Sequence, residues 1–119
     1  GYYMVLRLQV GEVSFLFTSD IGESTERALM ADRVNLESTV LKVANYGSAS
    51  STSEGFLARV NPVVAVITGG INDSFGHPSA DVLERLKQRV GEDRLYMTRQ
   101  HGTIDFITDG KRLWVKTKK

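Results

Sequence analysis

A continuous run of apolar and mostly β-branched residues at positions 63–68 is the feature that most constrains how this 119-residue chain folds. A strand with one wet face alternates apolar and polar residues, whereas an uninterrupted apolar run is typical of a strand covered on both faces. The run therefore predicts an interior strand of an α/β sheet, with apolar layers needed above and below it.

The patterns around this run predict the order ββαβαβαβββ. Residues 4–10 and 13–18 alternate as strands, and Gly11 with Glu12 between them indicates a hairpin. Three helices follow from apolar residues at helical spacing: one over residues 23–32, one capped by Ser51 with Glu54 and ended by Asn61, and one opening at Pro78 and ended by Gly91. Further strands are predicted over residues 38–44, 95–98, 103–108 and 112–117, the last two joined by a turn at Asp109 and Gly110.

Alternating strands and helices predict parallel pairing through helical crossovers, with the two hairpins adding antiparallel edges. The predicted fold class is thus α/β, a mixed β-sheet with helices on one face. Several strands carry apolar residues at both odd and even positions. The sheet face that the helices leave uncovered would therefore be a large apolar surface that requires a partner.

Composition narrows the function classes. Fifteen basic residues against fourteen acidic ones, a net charge of +1, give no global attraction to nucleic acid or membranes. Without cysteine, disulfides and thiolate chemistry are excluded. No apolar stretch approaches the roughly 20 residues of a membrane helix. We expect one domain over residues 1–119, and Gly1 at the start suggests a processed or excised piece of something longer.

Three blocks of sequence, in order, resemble a known family. They are residues 15–23 (FLFTSDIGE), 41–48 (LKVANYGS) and 75–78 (FGHP), with weaker likeness at 98–102 and 108–110. The series resembles the C-terminal half of the metallo-β-lactamase-like domain of ComEC-type DNA-uptake proteins. The resemblance implies half of an αββα sandwich, whose other sheet comes from an N-terminal half, and a bacterial source.

The resemblance also implies a metal site that has degenerated. Family members bind divalent metal through an HxHxDH motif, which is absent here, and through Asp and His residues of the second half. Asp20 and His77 occupy two such positions as vestigial ligands, but Asn45 and Tyr46 replace the paired histidines. A catalytic zinc needs about three protein ligands. No cofactor is expected for the chain alone, and zinc or manganese only if another chain completes the site.

Each candidate residue also has a structural explanation. Asp20 could favour a helix N-terminus through the helix dipole, and His77 and His101 could be ordinary loop or turn residues. The serine-rich loop at residues 48–53 could bind an anion at the start of the following helix, but ordinary loop structure is the favoured explanation. Glycines at positions 69 and 70 lack the further residues of a phosphate-binding motif.

Two functional hypotheses follow. In the first, the chain is a non-catalytic, metallo-β-lactamase-like domain that acts by forming a homodimer or by binding a separate N-terminal half. In the second, it is a fragment of a metal-dependent phosphodiesterase or nuclease of DNA uptake, with DNA as substrate by resemblance alone. The expected location is the cytoplasm or the soluble part of a membrane protein.

Overall fold

The computed structural model describes residues 4–69 and 78–119, which form seven strands and four α-helices. The strands are β1 (Leu6–Val10), β2 (Val13–Phe17), β3 (Val40–Lys42), β4 (Val64–Ile67), β5 (Leu95–Met97), β6 (Ile104–Thr108) and β7 (Leu113–Thr117). The helices are α1 (Glu23–Ala31), α2 (Glu54–Val60), α3 (Ala80–Val90) and the single turn α4 (Thr98–His101).

A five-stranded mixed sheet in the order β1-β2-β3-β4-β5 organises the chain. β1 pairs antiparallel with β2, and β2 to β5 are parallel to one another through crossovers that contain α1, α2 and α3. The predicted α/β class, the mixed sheet and the first hairpin are therefore confirmed.

The larger core lies on the helix side of the sheet. Leu16, Leu41 and Ala65 point from three adjacent strands towards this side and are buried with the apolar stripes of the helices. The helical residues in this core that are fully buried are Phe56, Leu57, Val60, Val82 and Leu86. Residues three or four apart share one helix face, which explains why the apolar spacing of α3 places Val82 and Leu86 on the sheet.

The opposite face of the sheet is partly covered by the hairpin of β6 and β7. Val40, Val64 and Val66 are buried beneath it, and Phe15 meets Phe106 edge to face with ring centroids 6.1 Å apart. This hairpin forms its own two-stranded sheet, so the prediction that it would add an edge to the main sheet is wrong. The apolar side chains of the hairpin are buried by packing on the face of the main sheet, and the hairpin does not pair with an edge strand of that sheet.

Contact between two turns fixes the tip of this hairpin. The backbone N–H of Glu12 donates to the carbonyl of Gly110 at 2.6 Å, and a Cβ on Gly11 would lie 2.6 Å from the same oxygen. Asp109 organises the second turn, because its carboxylate accepts hydrogen bonds from the backbone N–H groups of Arg112 and Lys111. Those bonds, led by the one from Arg112, lower the pKa of the Asp109 carboxyl.

Two helix starts differ from the prediction by one or two residues. Ser53, not Ser51, caps α2, because its side chain accepts the N–H of Phe56 at 3.2 Å. Likewise Pro78 lies before α3 and not in its first turn, because the cap is Ser79, whose side chain accepts the N–H of Val82 at 3.1 Å. A cap needs a side-chain oxygen directly before the first turn, and several serines near the start of α2 made the choice there ambiguous in the sequence.

Replacing the buried Val82 tests the helix-side core. We expect Val82→Ala to lower the free energy of unfolding by about 2 kcal/mol, because two methyl groups leave a packed site. Val34→Ala, a matched change at an exposed valine, should cost less than about 0.5 kcal/mol. Urea denaturation measures both, and equal losses would show that α3 is not packed as described.

Candidate functional site

Most of the candidate residues lie at the C-terminal edge of the sheet, where the parallel strands end. Asp20 follows β2, Asn45 and Tyr46 follow β3, and Thr68 follows β4. In open α/β sheets this edge is where ligands and catalytic groups usually lie. The sequence-based grouping of Asp20 with Asn45 and Tyr46 therefore has a geometric basis in the fold.

Two hydrogen bonds, one from a side chain and one from the backbone, join the first two of these strand ends. The buried Thr18 hydroxyl donates to the carbonyl of Lys42 at 2.6 Å, and the backbone N–H of Asn45 donates to the carbonyl of Ser19 at 3.1 Å. The loop after β2 is thus held against the loop after β3, with Asp20 one residue beyond the contact.

Three residues at this edge adopt left-handed backbone conformations. Ser19, Asn45 and Tyr46 have φ angles of 49°, 55° and 53°. Left-handed conformations cost of order 1–2 kcal/mol for a non-glycine residue, although asparagine tolerates them better. Two such residues in succession form a sharp turn, and strain of this kind is concentrated at functional sites in proteins.

Asp20 is exposed and lies two residues before the helix cap. Gly22, not Asp20, is the cap of α1, so the structural explanation of Asp20 as a helix N-terminal residue is not supported by a capping bond. Among the described residues, no hydrogen bond or ion pair to the Asp20 carboxylate is present. Its oxygens face solvent at the sheet edge.

The neighbouring donors are chemically unlike zinc ligands. Asn45 offers a neutral amide and Tyr46 a phenol. Zinc favours thiolate, imidazole and carboxylate groups, and of these three residues only Asp20 provides one. In the described part of the chain, no group of three or more His, Asp or Glu side chains is placed to hold a metal ion.

Of the two histidines, the structure describes only His101. His77 lies outside the described residues. His101 ends α4, where its Nδ1 lies 3.1 Å from both the backbone N and the backbone O of Met97. Its ring also packs against Tyr96 at 5.4 Å between centroids. His101 therefore serves a local turn, as its structural explanation predicted.

The N–H groups at the end of the serine-rich loop are bonded to a side chain of the protein itself. The carboxylate of Glu26, fully buried in α1, accepts the backbone N–H groups of Thr52 and Ser53 at 2.5 and 3.0 Å. The carbonyl of Thr52 in turn accepts the Arg85 guanidinium at 2.6 Å. An external anion at the start of α2 would have to displace Glu26 from these two N–H groups, which agrees with the structural explanation of the loop that the sequence favoured.

An apolar groove beside the β6–β7 hairpin was not foreseen from the sequence. It encloses about 490 Å³ between β6 and the uncovered part of the main sheet. Lys42, Thr68 and Thr98 provide polar groups along it, at or just beyond the carboxyl ends of the strands. Its apolar walls include Leu8, Val10, Phe15, Phe17, Val66 and Phe106. One signal was present in the sequence: Lys42 interrupts an otherwise apolar strand at the parity of Val40.

Comparison with known proteins identifies relatives along nearly the whole chain. The chain is 34% identical over 103 residues to ComE operon protein 3 of Bacillus subtilis (strain 168), a match that covers 87% of this chain. It is 33% identical over 107 residues to competence protein ComA of Neisseria gonorrhoeae, covering 89%. The chain is a homologue of bacterial competence proteins.

A third relative of this competence-protein homologue is recombination protein 2 of Haemophilus influenzae (strain ATCC 51907 / DSM 11121 / KW20 / Rd), 34% identical over 82 residues. The chain spans only 13%, 15% and 10% of the lengths of these three relatives. No family model and no solved structure matches the chain. Bacterial relatives support a bacterial origin for this homologue.

The helices within residues 4–69 and 78–119 include none with both the length and the apolar character needed to cross a membrane.

Replacing Glu26 tests its hydrogen bonds to the serine-rich loop. Glu26→Gln exchanges one acceptor oxygen for an NH₂ group, which cannot accept the N–H that faces it. We expect a loss of about 1–3 kcal/mol in the free energy of unfolding. Glu23→Gln, on the exposed side of the same helix, is the control and should change it by less than about 0.5 kcal/mol. Indistinguishable urea midpoints for the two variants would contradict the assigned role of Glu26.

Proposed function

We propose that this competence-protein homologue is a non-catalytic, metallo-β-lactamase-like domain related to the ComEC proteins, with a degenerate metal site, that acts by associating with another polypeptide or a second copy. The observation that carries this proposal is the turn at Asn45 and Tyr46. The backbone N–H of Asn45 in this left-handed turn donates to the carbonyl of Ser19. The end of β3 beside Asp20 therefore carries an amide and a phenol.

The donor chemistry supports the non-catalytic part of the proposal. A hydrolytic metal ion lowers the pKa of a bound water, and it must first be held by about three charged or imidazole ligands. Asp20 supplies one carboxylate. An amide from Asn45 and a phenol from Tyr46 would add little affinity for zinc, so this chain alone would not hold a hydrolytic metal ion.

The exposed side of the sheet supports the association part. Met4, Leu6 and Leu8 are 72%, 51% and 49% exposed at alternating positions, and Phe17, paired with Leu6, is 37% exposed. All four lie at the parity that points away from the helices, and Leu8 and Phe17 line the groove. A contiguous apolar surface of this kind marks an interaction site in most proteins.

A second candidate function is a fragment of a metal-dependent phosphodiesterase or nuclease of DNA uptake, completed by a separate N-terminal half. It is favoured by the exposure of the Asp20 carboxylate at the sheet edge and by the small share of the relatives that this chain spans. In that case Asp20 and His77 would be ligands of zinc or manganese, and the missing donors would come from the other half.

Metal analysis separates the two candidates. After incubation with zinc or manganese and dialysis, we expect far less than one metal ion per chain, no cleavage of bis-p-nitrophenyl phosphate, and the same result for Asp20→Ala. Stoichiometric metal together with hydrolysis that is lost in Asp20→Ala would overturn the non-catalytic proposal.

A restored donor pair provides the positive control. Asn45→His combined with Tyr46→His places two imidazoles in a turn whose left-handed backbone histidine tolerates. We expect zinc binding in this double variant, weakened when Asp20→Ala is added and unchanged by Asp32→Ala, an exposed aspartate at the end of α1. Zinc binding that ignores Asp20 would contradict its placement beside the turn.

A further inference from the structure

We propose that the outer face of the β6–β7 hairpin binds the surface of an anionic phospholipid bilayer. The outer face is the side of the hairpin that points away from the main sheet, and it consists of Asp105, Ile107, Arg112, Trp114 and Lys116. The groove is lined by the opposite side of β6. A bilayer contact on the outer face is thus independent of the metal site and of association through the main sheet.

An adjacent pair of apolar side chains lies at the centre of this face. Ile107 and Trp114 are cross-strand partners, and they are 47% and 44% exposed. Successive side chains of a strand point to opposite faces, so their neighbours Phe106 and Val115 point towards the main sheet and are less exposed. A single exposed apolar residue is ordinary on a protein surface, but a cross-strand pair that includes tryptophan is a small apolar patch that other molecules can contact.

The positive charge of the chain is concentrated around this patch. Residues 102–119, which contain the hairpin, carry five lysines and arginines against two aspartates, a net charge of +3. Residues 1–101 carry ten lysines and arginines against twelve acidic residues, a net charge of −2. The near-neutral chain therefore has one distinctly cationic segment, and a surface of this charge attracts an anionic partner.

Cationic groups lie on both sides of the apolar pair along β7. Towards the turn, the Arg112 guanidinium lies 5.1 Å from the centroid of the Trp114 ring and is held there by an ion pair of 3.1 Å with Asp109. Towards the base, Lys116 follows Trp114 by two residues on the same face. The backbone N–H of Lys118 donates to the carbonyl of the residue before β6 at 3.1 Å, so the chain stays beside the hairpin past the end of β7.

The side chains at the centre of the face favour a lipid surface over a nucleic acid. A single-stranded nucleic acid would stack its bases on free aromatic faces. Arg112 covers one face of the Trp114 ring, and Ile107 has no aromatic ring to offer. A bilayer uses all of them, because tryptophan concentrates at the membrane–water interface, aliphatic side chains enter below the headgroups, and lysine and arginine contact anionic headgroups.

The size of the face also favours a lipid surface over a folded protein partner. A stable protein interface takes roughly 20–30 residues on each side. The outer face offers five side chains on two strands, with charged residues on both sides of the apolar pair. Adsorption to a bilayer needs no matching shape, since a few apolar side chains and several cations act together on a deformable surface.

The fluorescence of Trp114 tests the proposal directly, because it is the single tryptophan of the chain. The whole chain is mixed with phosphatidylcholine vesicles that contain about 30% phosphatidylglycerol, in about 0.05 M salt. We expect a blue shift of the emission and quenching by lipids brominated in their acyl chains. Vesicles of phosphatidylcholine alone, or about 0.5 M salt, should weaken the partitioning at least about tenfold.

Charge variants locate the contact. Lys116→Gln should weaken partitioning into the anionic vesicles about fivefold, the effect of one cation near such a surface. Asp105→Asn should strengthen it about fivefold, because Asp105 is the cross-strand partner of Lys116 on the same face. Lys87→Gln changes the net charge equally on the exposed side of α3, which packs on the opposite face of the main sheet, and should change partitioning less than about twofold.

An apolar variant tests insertion separately from charge. Ile107→Thr keeps the β-branched shape that suits a strand, and should weaken partitioning about threefold. Val34→Thr, at an exposed valine after α1, is the control and should leave partitioning unchanged. Circular dichroism establishes that each variant is folded.

Three results would overturn the proposal. The first is the absence of both cosedimentation and an emission change with the anionic vesicles. The second is equal partitioning of Lys116→Gln and Lys87→Gln, which would make the binding a general effect of charge. The third is saturable quenching by a short oligothymidylate without vesicle binding, which would assign the outer face to nucleic acid. The metal analysis decides the proposed function separately, since vesicle binding involves neither Asp20 nor the turn at Asn45.

Discussion

The central strands of this protein are apolar on both faces, and most of its architecture follows from the need to cover them. Leu41 and Ala65 point to one side, Val40 and Val64 to the other, and every one of them is buried. Burial of apolar surface is the main favourable term in folding, so each face must be removed from water. Three crossover helices cover one face fully. A two-stranded hairpin covers only part of the other.

Local patterns predicted most of the secondary structure, because strand alternation and helical spacing are properties of short segments. The continuous apolar run became β4, and the turn at Asp109 and Gly110 formed as expected. The position of the last hairpin was wrong, because alternation in β6 and β7 shows that one side is buried without showing against what. Packing across layers depends on residues far apart in sequence, such as Phe15 and Phe106.

Part of the candidate site was likewise predictable from the sequence, and part of it was not. Strand ends can be located from sequence, so the position of Asp20 and of the turn at Asn45 and Tyr46 on one edge was predictable. The role of Glu26 was not, since nothing in the helical pattern distinguishes a buried carboxylate that receives two backbone N–H groups from its exposed neighbours. The groove is formed by the packing of the hairpin on the main sheet, so the position of Lys42 in its lining could not be predicted from local patterns.

The layer on the hairpin side of the sheet is incomplete, and the C-terminal edge of the sheet carries few metal-binding donors. Both features are consistent with a domain that works by contact with another polypeptide segment. Hydrogen exchange measured by NMR on the isolated chain tests this account most directly. Amides of β3 and β4 should exchange only through global unfolding, whereas those of β6 and β7 should open locally and exchange faster, because their sheet lacks a further strand. Equal protection of the hairpin and the central strands would contradict the account, since the second layer would then be complete as it stands.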